Sequence, residues 1–303
     1  MKKFSVILLL FLVSVVTFTL DVSTSILPYY YISKEIVGEK GNVNLIVPPG
    51  KSPHTYSLTP KELIPIYDSD VLIINGMGLE VFISKLSDNL YKEGLKIVEV
   101  SSYIPKEEFI FSNHSHEDDD EHETGHKDDE VFGYDPHIWL DPYLMYNYVI
   151  PSLTEEFSKL DPTSKEFYEQ NAQNLINRLK LLDKYLKEKA KTISGSIFTV
   201  HNAFEYFAKR YDIPIIGVLQ ISPGVDPTPK QIIELTELAN KEDVKAIFNE
   251  PQLSDRAVNT LAKSLNLRTG VLDPLGSNEN IIDLESLYLY NLYEIIRVVN
   301  YEK

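Results

Sequence analysis

Cysteine is absent from the 303 residues of this chain, and basic residues are scarce relative to acidic ones. Without cysteine the chain has no disulfide, no thiol nucleophile, no thiolate metal site and no cysteine-linked lipid anchor. Its 29 lysine and arginine residues stand against 45 aspartate and glutamate residues, which gives a net charge of −16. Nucleic-acid binding needs a basic surface and is therefore not expected. An acidic surface attracts cations instead.

Long apolar runs are also missing, apart from one at the N-terminus. Lys2 and Lys3 precede the apolar stretch 4–20, which is slightly short for a membrane span of about 20 apolar residues. A charged start and a short apolar core are typical of a secretory signal peptide, so we predict that residues 1–22 are one. The alternative is an uncleaved N-terminal membrane anchor. Either way the rest of the chain is exported, and periplasmic in a cell with two membranes.

Beyond this segment, short apolar runs alternate with stretches of helical spacing. The pattern predicts strands at 42–47, 71–74, 96–100, 197–200, 213–218, 244–248 and 268–272. Such alternation indicates the α/β fold class with mostly parallel sheets. An apolar stripe from Tyr168 to Leu186, in steps of three or four residues, predicts a long helix between the two halves. We therefore expect two (βα)4-type lobes, residues 23–155 and 194–303, joined by one long rigid connecting helix at 156–193.

One segment of the first lobe breaks the pattern. Residues 113–130 contain almost nothing apolar and carry most of their charge as acid, so we predict a disordered loop there. Four of the chain's seven histidines lie in it: His114, His116, His122 and His126. Flexible imidazoles among carboxylates would bind Zn²⁺ weakly and raise its local concentration. The alternative is a solvated acidic tract without a metal role.

The other three histidines occupy turns. His54 and His201 follow predicted strands, as Asp273 does, and His137 lies in a proline-bounded turn ahead of the connecting helix. Ligands of parallel sheets bind beyond the carboxyl ends of the strands, so we expect these four side chains to converge between the lobes. Three imidazoles and one carboxylate suit four-coordinate Zn²⁺. Asp273 has an alternative role as the cap of a turn.

Six segments around these residues stand out, in order along the chain: Pro-Pro-Gly-Lys-Ser-Pro-His54-Thr-Tyr-Ser-Leu-Thr-Pro, Asn75-Gly-Met-Gly-Leu-Glu80, Asp135-Pro-His137-Ile-Trp-Leu-Asp-Pro, His201-Asn-Ala-Phe, Phe248-Asn-Glu-Pro-Gln and Leu272-Asp273-Pro-Leu-Gly. Together they resemble the metal-binding proteins of zinc and manganese ABC transporters, the cluster A-I, TroA-like solute-binding family. The resemblance covers essentially the whole chain after the N-terminal segment. It implies two α/β lobes, a rigid connecting helix and a metal ion held between the lobes.

The resemblance also implies the ligands. His54 and His137 match the first two, and His201 stands where zinc-type members have histidine and manganese-type members usually have glutamate. The fourth position is implied to belong to Asp273 or to a water molecule. Zinc is therefore favoured over manganese, and imidazole does suit zinc better than it suits manganese. One departure is Asn202, where the family commonly has aspartate.

The function implied is a high-affinity zinc-binding receptor, not an enzyme, that delivers Zn²⁺ to a membrane permease driven by a cytoplasmic ATPase. We expect a monomer that touches the membrane only through the permease. Its affinity should fall below about pH 6 as the histidines protonate.

Three alternatives stay open. A manganese or iron receptor of the same family is one, and a surface adhesin, weakened by the missing lipid anchor, is another. The third is a zinc-dependent hydrolase, in which three histidines and a water hold the metal and Glu250 is the base. Outside that alternative, Glu250 is expected to be structural or to support a ligand rather than to bind the metal. The chain has no His-Glu-x-x-His motif to support it.

Overall fold

Two parallel sheets of four strands each form the framework of the molecule. The computed structural model describes residues 19–84, 90, 94–111, 133–220 and 223–300. The first sheet has the order β2-β1-β3-β4 and the second the order β6-β5-β7-β8. Their strands are β1 (Leu20–Thr24), β2 (Gly41–Leu45), β3 (Val71–Ile74), β4 (Lys96–Glu99), β5 (Ser196–Thr199), β6 (Ile215–Val218), β7 (Val244–Asn249) and β8 (Arg268–Val271). The predicted α/β class with parallel sheets is confirmed.

Helices cover the sheets and join the two lobes. They are α1 (Leu27–Val37), α2 (Pro60–Tyr67), α3 (Val81–Ser84), α4 (Ile150–Leu160), α5 (Lys165–Ala190), α6 (Glu205–Tyr211), α7 (Pro229–Lys241), α8 (Arg256–Leu265) and α9 (Leu284–Val299). A helical turn at Pro142–Leu144 and a π-helical turn at Met145–Val149 lead into α4. Among the described residues, no helix has both the length and the apolar character that crossing a bilayer requires.

The connecting helix starts later than the boundary at residue 156 that the sequence suggested. Residues 156–160 end α4, and Asp161 then leaves helical geometry, with φ −126° and ψ 83°. The side chain of Asp161 accepts a hydrogen bond from the Thr163 amide at 3.1 Å, which caps the turn that opens α5. The 26 residues of α5 span about 39 Å.

The first strand and first helix were not predicted. β1 lies inside its sheet, and the side chains of Leu20 and Val22 are fully buried. β1 therefore extends into residues 1–22, the segment assigned to the signal peptide. Residues 1–18 of that predicted signal peptide lie outside the described part of the chain. So does the predicted loop 113–130 with His114, His116, His122 and His126.

One apolar cluster spans both lobes, and each lobe has a smaller cluster of its own. The cluster that spans both lobes contains Ile32 of α1, Leu179 of α5 and Leu292 of α9, all without solvent exposure. Polar contacts cross between the lobes as well: the chain's one tryptophan, Trp139, donates from Nε1 to the carbonyl oxygen of Pro274 at 2.7 Å. The Tyr288 hydroxyl donates to the carbonyl oxygen of Trp139, also at 2.7 Å. Apolar packing and these hydrogen bonds therefore join the two lobes.

Candidate metal centre

Three histidines meet between the lobes. His54 lies in the loop from β2 to α2, His201 lies two residues after β5, and His137 lies ahead of the turn that leads to α4. Their ring centroids are 5.4 Å (His54 to His137), 5.4 Å (His54 to His201) and 4.9 Å (His137 to His201) apart. One ring nitrogen from each residue lies within 4.8 Å of the other two. Three of the four side chains that were expected to converge therefore do so.

The spacing of two of these nitrogens suits a tetrahedral ion. Nε2 of His54 lies 3.3 Å from Nε2 of His137. Two nitrogens bound to zinc at 2.0–2.1 Å, with a tetrahedral angle between them, are separated by about 3.3 Å. The pair is thus already at the separation that a shared zinc ion requires.

His137 is fixed at its other ring nitrogen. Its Nδ1 lies 2.6 Å from Oδ1 of Asp135, which also accepts the His137 backbone amide at 3.0 Å. The Asn75 side chain holds the same segment by donating from Nδ2 to the Pro136 carbonyl oxygen at 3.0 Å. A carboxylate on Nδ1 assigns the hydrogen to that nitrogen and leaves Nε2 bare toward the other histidines.

His201 has a similar neighbour in Glu250, which follows β7. Nδ1 of His201 lies 3.3 Å from Oε1 and 3.4 Å from Oε2 of this carboxyl group. Both side chains are buried, and Oε1 has no hydrogen-bond partner among the described residues. The sequence suggested Glu250 as a structural residue or a support for a ligand, and as the base only in the hydrolase alternative. The structure places it against Nδ1 of His201.

Asp273 does not join the histidines. Its Oδ1 accepts the backbone amides of Leu275 at 3.1 Å and Gly276 at 2.9 Å. Its Oδ2 accepts the Ser277 hydroxyl at 2.9 Å and the Asn278 amide at 2.8 Å. Asp273 thus takes the alternative role of turn cap, and the metal-ligand group in the described chain consists of the three histidines.

A small cavity lies between the rings. It has a volume of about 20 Å³ and is lined by the three histidines together with Glu250 and Gln252. A cavity of this size holds about one water-sized occupant. Oε1 of Gln252, like Oε1 of Glu250, has no hydrogen-bond partner among the described residues. The walls thus combine ring nitrogens with unpaired oxygen acceptors.

Burial keeps two of the imidazoles neutral. It lowers the pKa of His54 well below 6.5, and the neighbouring His137 and His201 lower that pKa further. Burial likewise lowers the pKa of His137, with His201 adding to the effect and Glu250 opposing it. Neutral imidazole is the form that binds metal, so these rings are ready for a cation at neutral pH.

The Asn75–Glu80 motif builds the support beneath His137. The buried carboxyl group of Glu80 accepts the Ser25 hydroxyl at 2.7 Å, the Asn75 amide at 2.7 Å and the Gly76 amide at 3.2 Å. Gly76 has φ +81°, which favours glycine. Burial raises the pKa of Glu80 to about 7. The sequence flagged the motif only by resemblance, and its role appears once Asn75 is seen to reach the His137 segment.

Comparisons with known proteins agree with this geometry. Residues 22–297 match the family model ZnuA, described as zinc-uptake complex component A, periplasmic. The chain is 32% identical over 259 residues to the high-affinity zinc uptake system protein ZnuA of Bacillus subtilis, covering 84% of this chain and 78% of that protein. It is 30% identical over 262 residues to the zinc-binding lipoprotein AdcA of Streptococcus pneumoniae, covering 85% of this chain. The match covers 50% of AdcA, so the chain spans about half the length of that relative.

A solved structure extends the likeness to three dimensions. The crystal structure of a Zn(II)-bound AdcAII variant of Streptococcus pneumoniae has a TM-score of 0.75 and 29% identity, covering 92% of this chain and 99% of that chain. The two-lobe fold and the resemblance found in the six sequence segments are thereby confirmed. The chain belongs to the ZnuA family, the periplasmic A components of zinc-uptake complexes.

Proposed function

We propose that this chain is the receptor of a zinc-uptake ABC transporter. It binds one Zn²⁺ between its lobes and delivers the ion to a membrane permease powered by an ATPase. The observation that carries the proposal is the convergence of His54, His137 and His201, with the Nε2 atoms of His54 and His137 at the tetrahedral spacing of 3.3 Å. Export to the periplasm belongs to the same proposal, since the family is described as periplasmic.

The donor set supports zinc over manganese. Imidazole nitrogens suit zinc and other borderline metals, whereas manganese is suited by carboxylate, carbonyl and water oxygens. The carboxylates of Asp135 and Glu250 contact Nδ1 of His137 and of His201, and neither belongs to the group of converging ligand atoms in the described chain. The relatives named for zinc uptake and zinc binding agree with this preference.

The fourth coordination position is best filled by a water molecule. The carboxyl oxygens of Asp273 accept hydrogen bonds from backbone amides of the turn at residues 275–278. If the carboxylate moved to bind a metal ion, these amides would lose their acceptors, which costs free energy. The cavity beside the histidines offers Oε1 of Glu250 and Oε1 of Gln252 as acceptors for a water bound to the ion.

The decisive experiment is native mass spectrometry with elemental analysis of the purified chain. We expect one equivalent of zinc, lost when His137 is changed to alanine. Stoichiometric manganese in place of zinc would support the alternative metal, and no bound metal at all would refute the proposal. Deletion of 113–130 serves as the control, because the tight site should survive it. Loss of the tight site on deletion would place the ligands in the loop instead.

A further inference from the structure

The three histidines differ in how they are held, and the difference bears on how the ion enters and leaves. We propose that His137 and His201 form a fixed pair, each oriented by a buried carboxylate, and that His54 is the ligand that opens and closes. In this arrangement Glu250 is the positioning residue of His201, as Asp135 is that of His137. The inference rests on the proposed zinc-binding function and adds an order of coordination to it.

The fixed pair is defined by contacts at Nδ1. Oδ1 of Asp135 lies 2.6 Å from Nδ1 of His137, and Oε2 of Glu250 lies within hydrogen-bond distance, 3.4 Å, of Nδ1 of His201. Asp135 is 2% exposed and Glu250 is 4% exposed, so water competes little for either contact. A carboxylate behind a ligating imidazole fixes the ring orientation, selects the tautomer and makes the metal-facing nitrogen more basic. Both rings therefore present Nε2 to the cavity before an ion arrives.

His54 lacks such an anchor. Within the described residues its polar contact is with Nε2 of His137 at 3.3 Å, and no carboxylate touches its ring. Asp135 holds the hydrogen of His137 on Nδ1, so Nε2 of His137 is the acceptor and Nε2 of His54 is the donor in that contact. A zinc ion shared by the two Nε2 atoms requires His54 to carry its hydrogen on Nδ1 instead. When zinc binds, the His54 ring therefore loses the proton on Nε2 and takes up another on Nδ1, so that the charge of the ring does not change.

The backbone around His54 matches this role. The loop residues 48–51 are exposed, and Gly50 has φ +79° with open space around it. Two backbone hydrogen bonds bind the turn to itself, from Lys51 to Pro48 at 3.1 Å and from Thr55 to Ser52 at 3.3 Å. Segments with few buried contacts open at low free-energy cost.

By contrast, the segments of the fixed pair are tied to their surroundings. The amide of Val200, next to His201, bonds the Phe248 carbonyl of the neighbouring strand at 2.8 Å. Trp139, two residues after His137, crosses to Pro274 at 2.7 Å. Opening at His54 therefore disturbs the least structure of the three.

The first test is Glu250→Gln, with Glu156→Gln as the matched control. Glu156 is a buried glutamate of α4 that pairs with Lys96 and Lys159, away from the histidines. We expect Glu250→Gln to lower zinc affinity about 10–100-fold while the Tm of the metal-free protein stays unchanged. The control should leave zinc affinity as it is. A lower Tm with unchanged zinc affinity in Glu250→Gln would show a merely structural role and overturn the inference.

Nitrogen NMR of the zinc-loaded protein gives a readout that stability does not affect. We expect the ring hydrogens of His137 and His201 on Nδ1 in both the metal-free and the zinc-bound protein. The hydrogen of His54 should move from Nε2 to Nδ1 when zinc binds. A hydrogen on Nε2 of His201 in the zinc-bound form would overturn the role of Glu250.

The second test is kinetic and compares His54→Ala with His201→Ala by stopped-flow metal exchange. Removing His54 should raise the zinc dissociation rate and leave the association rate unchanged, because the fixed pair still captures the ion. Removing His201 should lower the association rate as well. Equal effects of the two changes on association would contradict the order of coordination. A wild-type protein that binds no zinc would refute the proposed function itself, whereas these variant outcomes concern the inference alone.

Discussion

The substitution Asp273→Asn tests whether the carboxylate of Asp273 caps a turn or binds the metal ion. In Asp273→Asn the remaining side-chain carbonyl can still accept the Leu275 and Gly276 amides, while the new NH₂ group faces the Asn278 amide that Oδ2 accepted at 2.8 Å. Asp273 is fully buried, so the new NH₂ group is placed against an N–H donor away from solvent. A buried donor left unsatisfied costs about 1–3 kcal/mol. At about 2–4 °C per kcal/mol, the Tm of the metal-free protein should fall by about 2–12 °C.

The zinc affinity of the folded variant should change little, by less than about tenfold, because the carboxylate is not among the converging nitrogens. Differential scanning calorimetry measures the Tm, and competition with a chromophoric chelator measures the affinity. His137→Gln is a control with the opposite expected result: its zinc affinity should fall strongly, while the Tm of the metal-free protein should stay unchanged. If Asp273→Asn kept its Tm and lost zinc affinity about 1,000-fold or more, a change of over 4 kcal/mol in binding free energy, Asp273 would be a direct ligand and not a turn cap.

Further predictions concern the buried first strand, the pKa of the imidazoles and the single tryptophan. A chain starting at Ser23 loses Leu20 and Val22, both fully buried, and at about 1.5–3 kcal/mol each should be about 3–6 kcal/mol less stable in urea than one starting at Leu20. Equal stability of the two would contradict a core role for β1. Because burial depresses the pKa of His137, the unfolded chain takes up a proton as pH falls through about 6.5 and the folded chain does not. The metal-free wild type should therefore lose Tm relative to His137→Gln on going from pH 7 to lower pH, and a constant difference would argue against the shift. For the same reason zinc affinity should persist to a lower pH than the value of about 6 expected for ordinary histidines, as competition titrations would show. Trp139, with its ring centroid 5.2 Å from that of His137, should change fluorescence in step with one equivalent of zinc, and an unresponsive signal would place the ion elsewhere.

The spacing of apolar residues predicted most of the strands, and there is a specific reason why it missed β1. The second-half strands were placed within two residues at each end, because short apolar runs there are bounded by polar turns. β1 was missed because Leu20 continues the apolar N-terminal run and was assigned with it to the signal peptide. The structure instead pairs Leu20 with Gly41 and Thr24 with Leu45 along β2. Because the apolar N-terminal run continues directly into β1, the sequence shows no break between the predicted signal peptide and the strand.

The sequence predicted metal ligands from one signal, the position of a side chain just after the end of a strand. His201 and Asp273 both follow strands, and this one signal marked both as ligands. What separates them is the set of donors around each side chain. Asp273 is surrounded by the amides of the turn that follows it, including Gly276 at φ +85°. Glycine and proline in that turn were visible in the sequence, but not the direction in which its amides point.

The pairing of His201 with Glu250 shows what sequence reasoning lacked. In the parallel pair β5–β7, Thr199 stands opposite Phe248. Two more residues along each chain bring His201 opposite Glu250, so their contact follows from strand order and register. In a period-two strand, a slip of one residue in β7 would turn Glu250 to the other face and leave His201 without its carboxylate. The order β6-β5-β7-β8 thus does more than shape the second lobe: it selects which acidic side chain stands behind the third histidine.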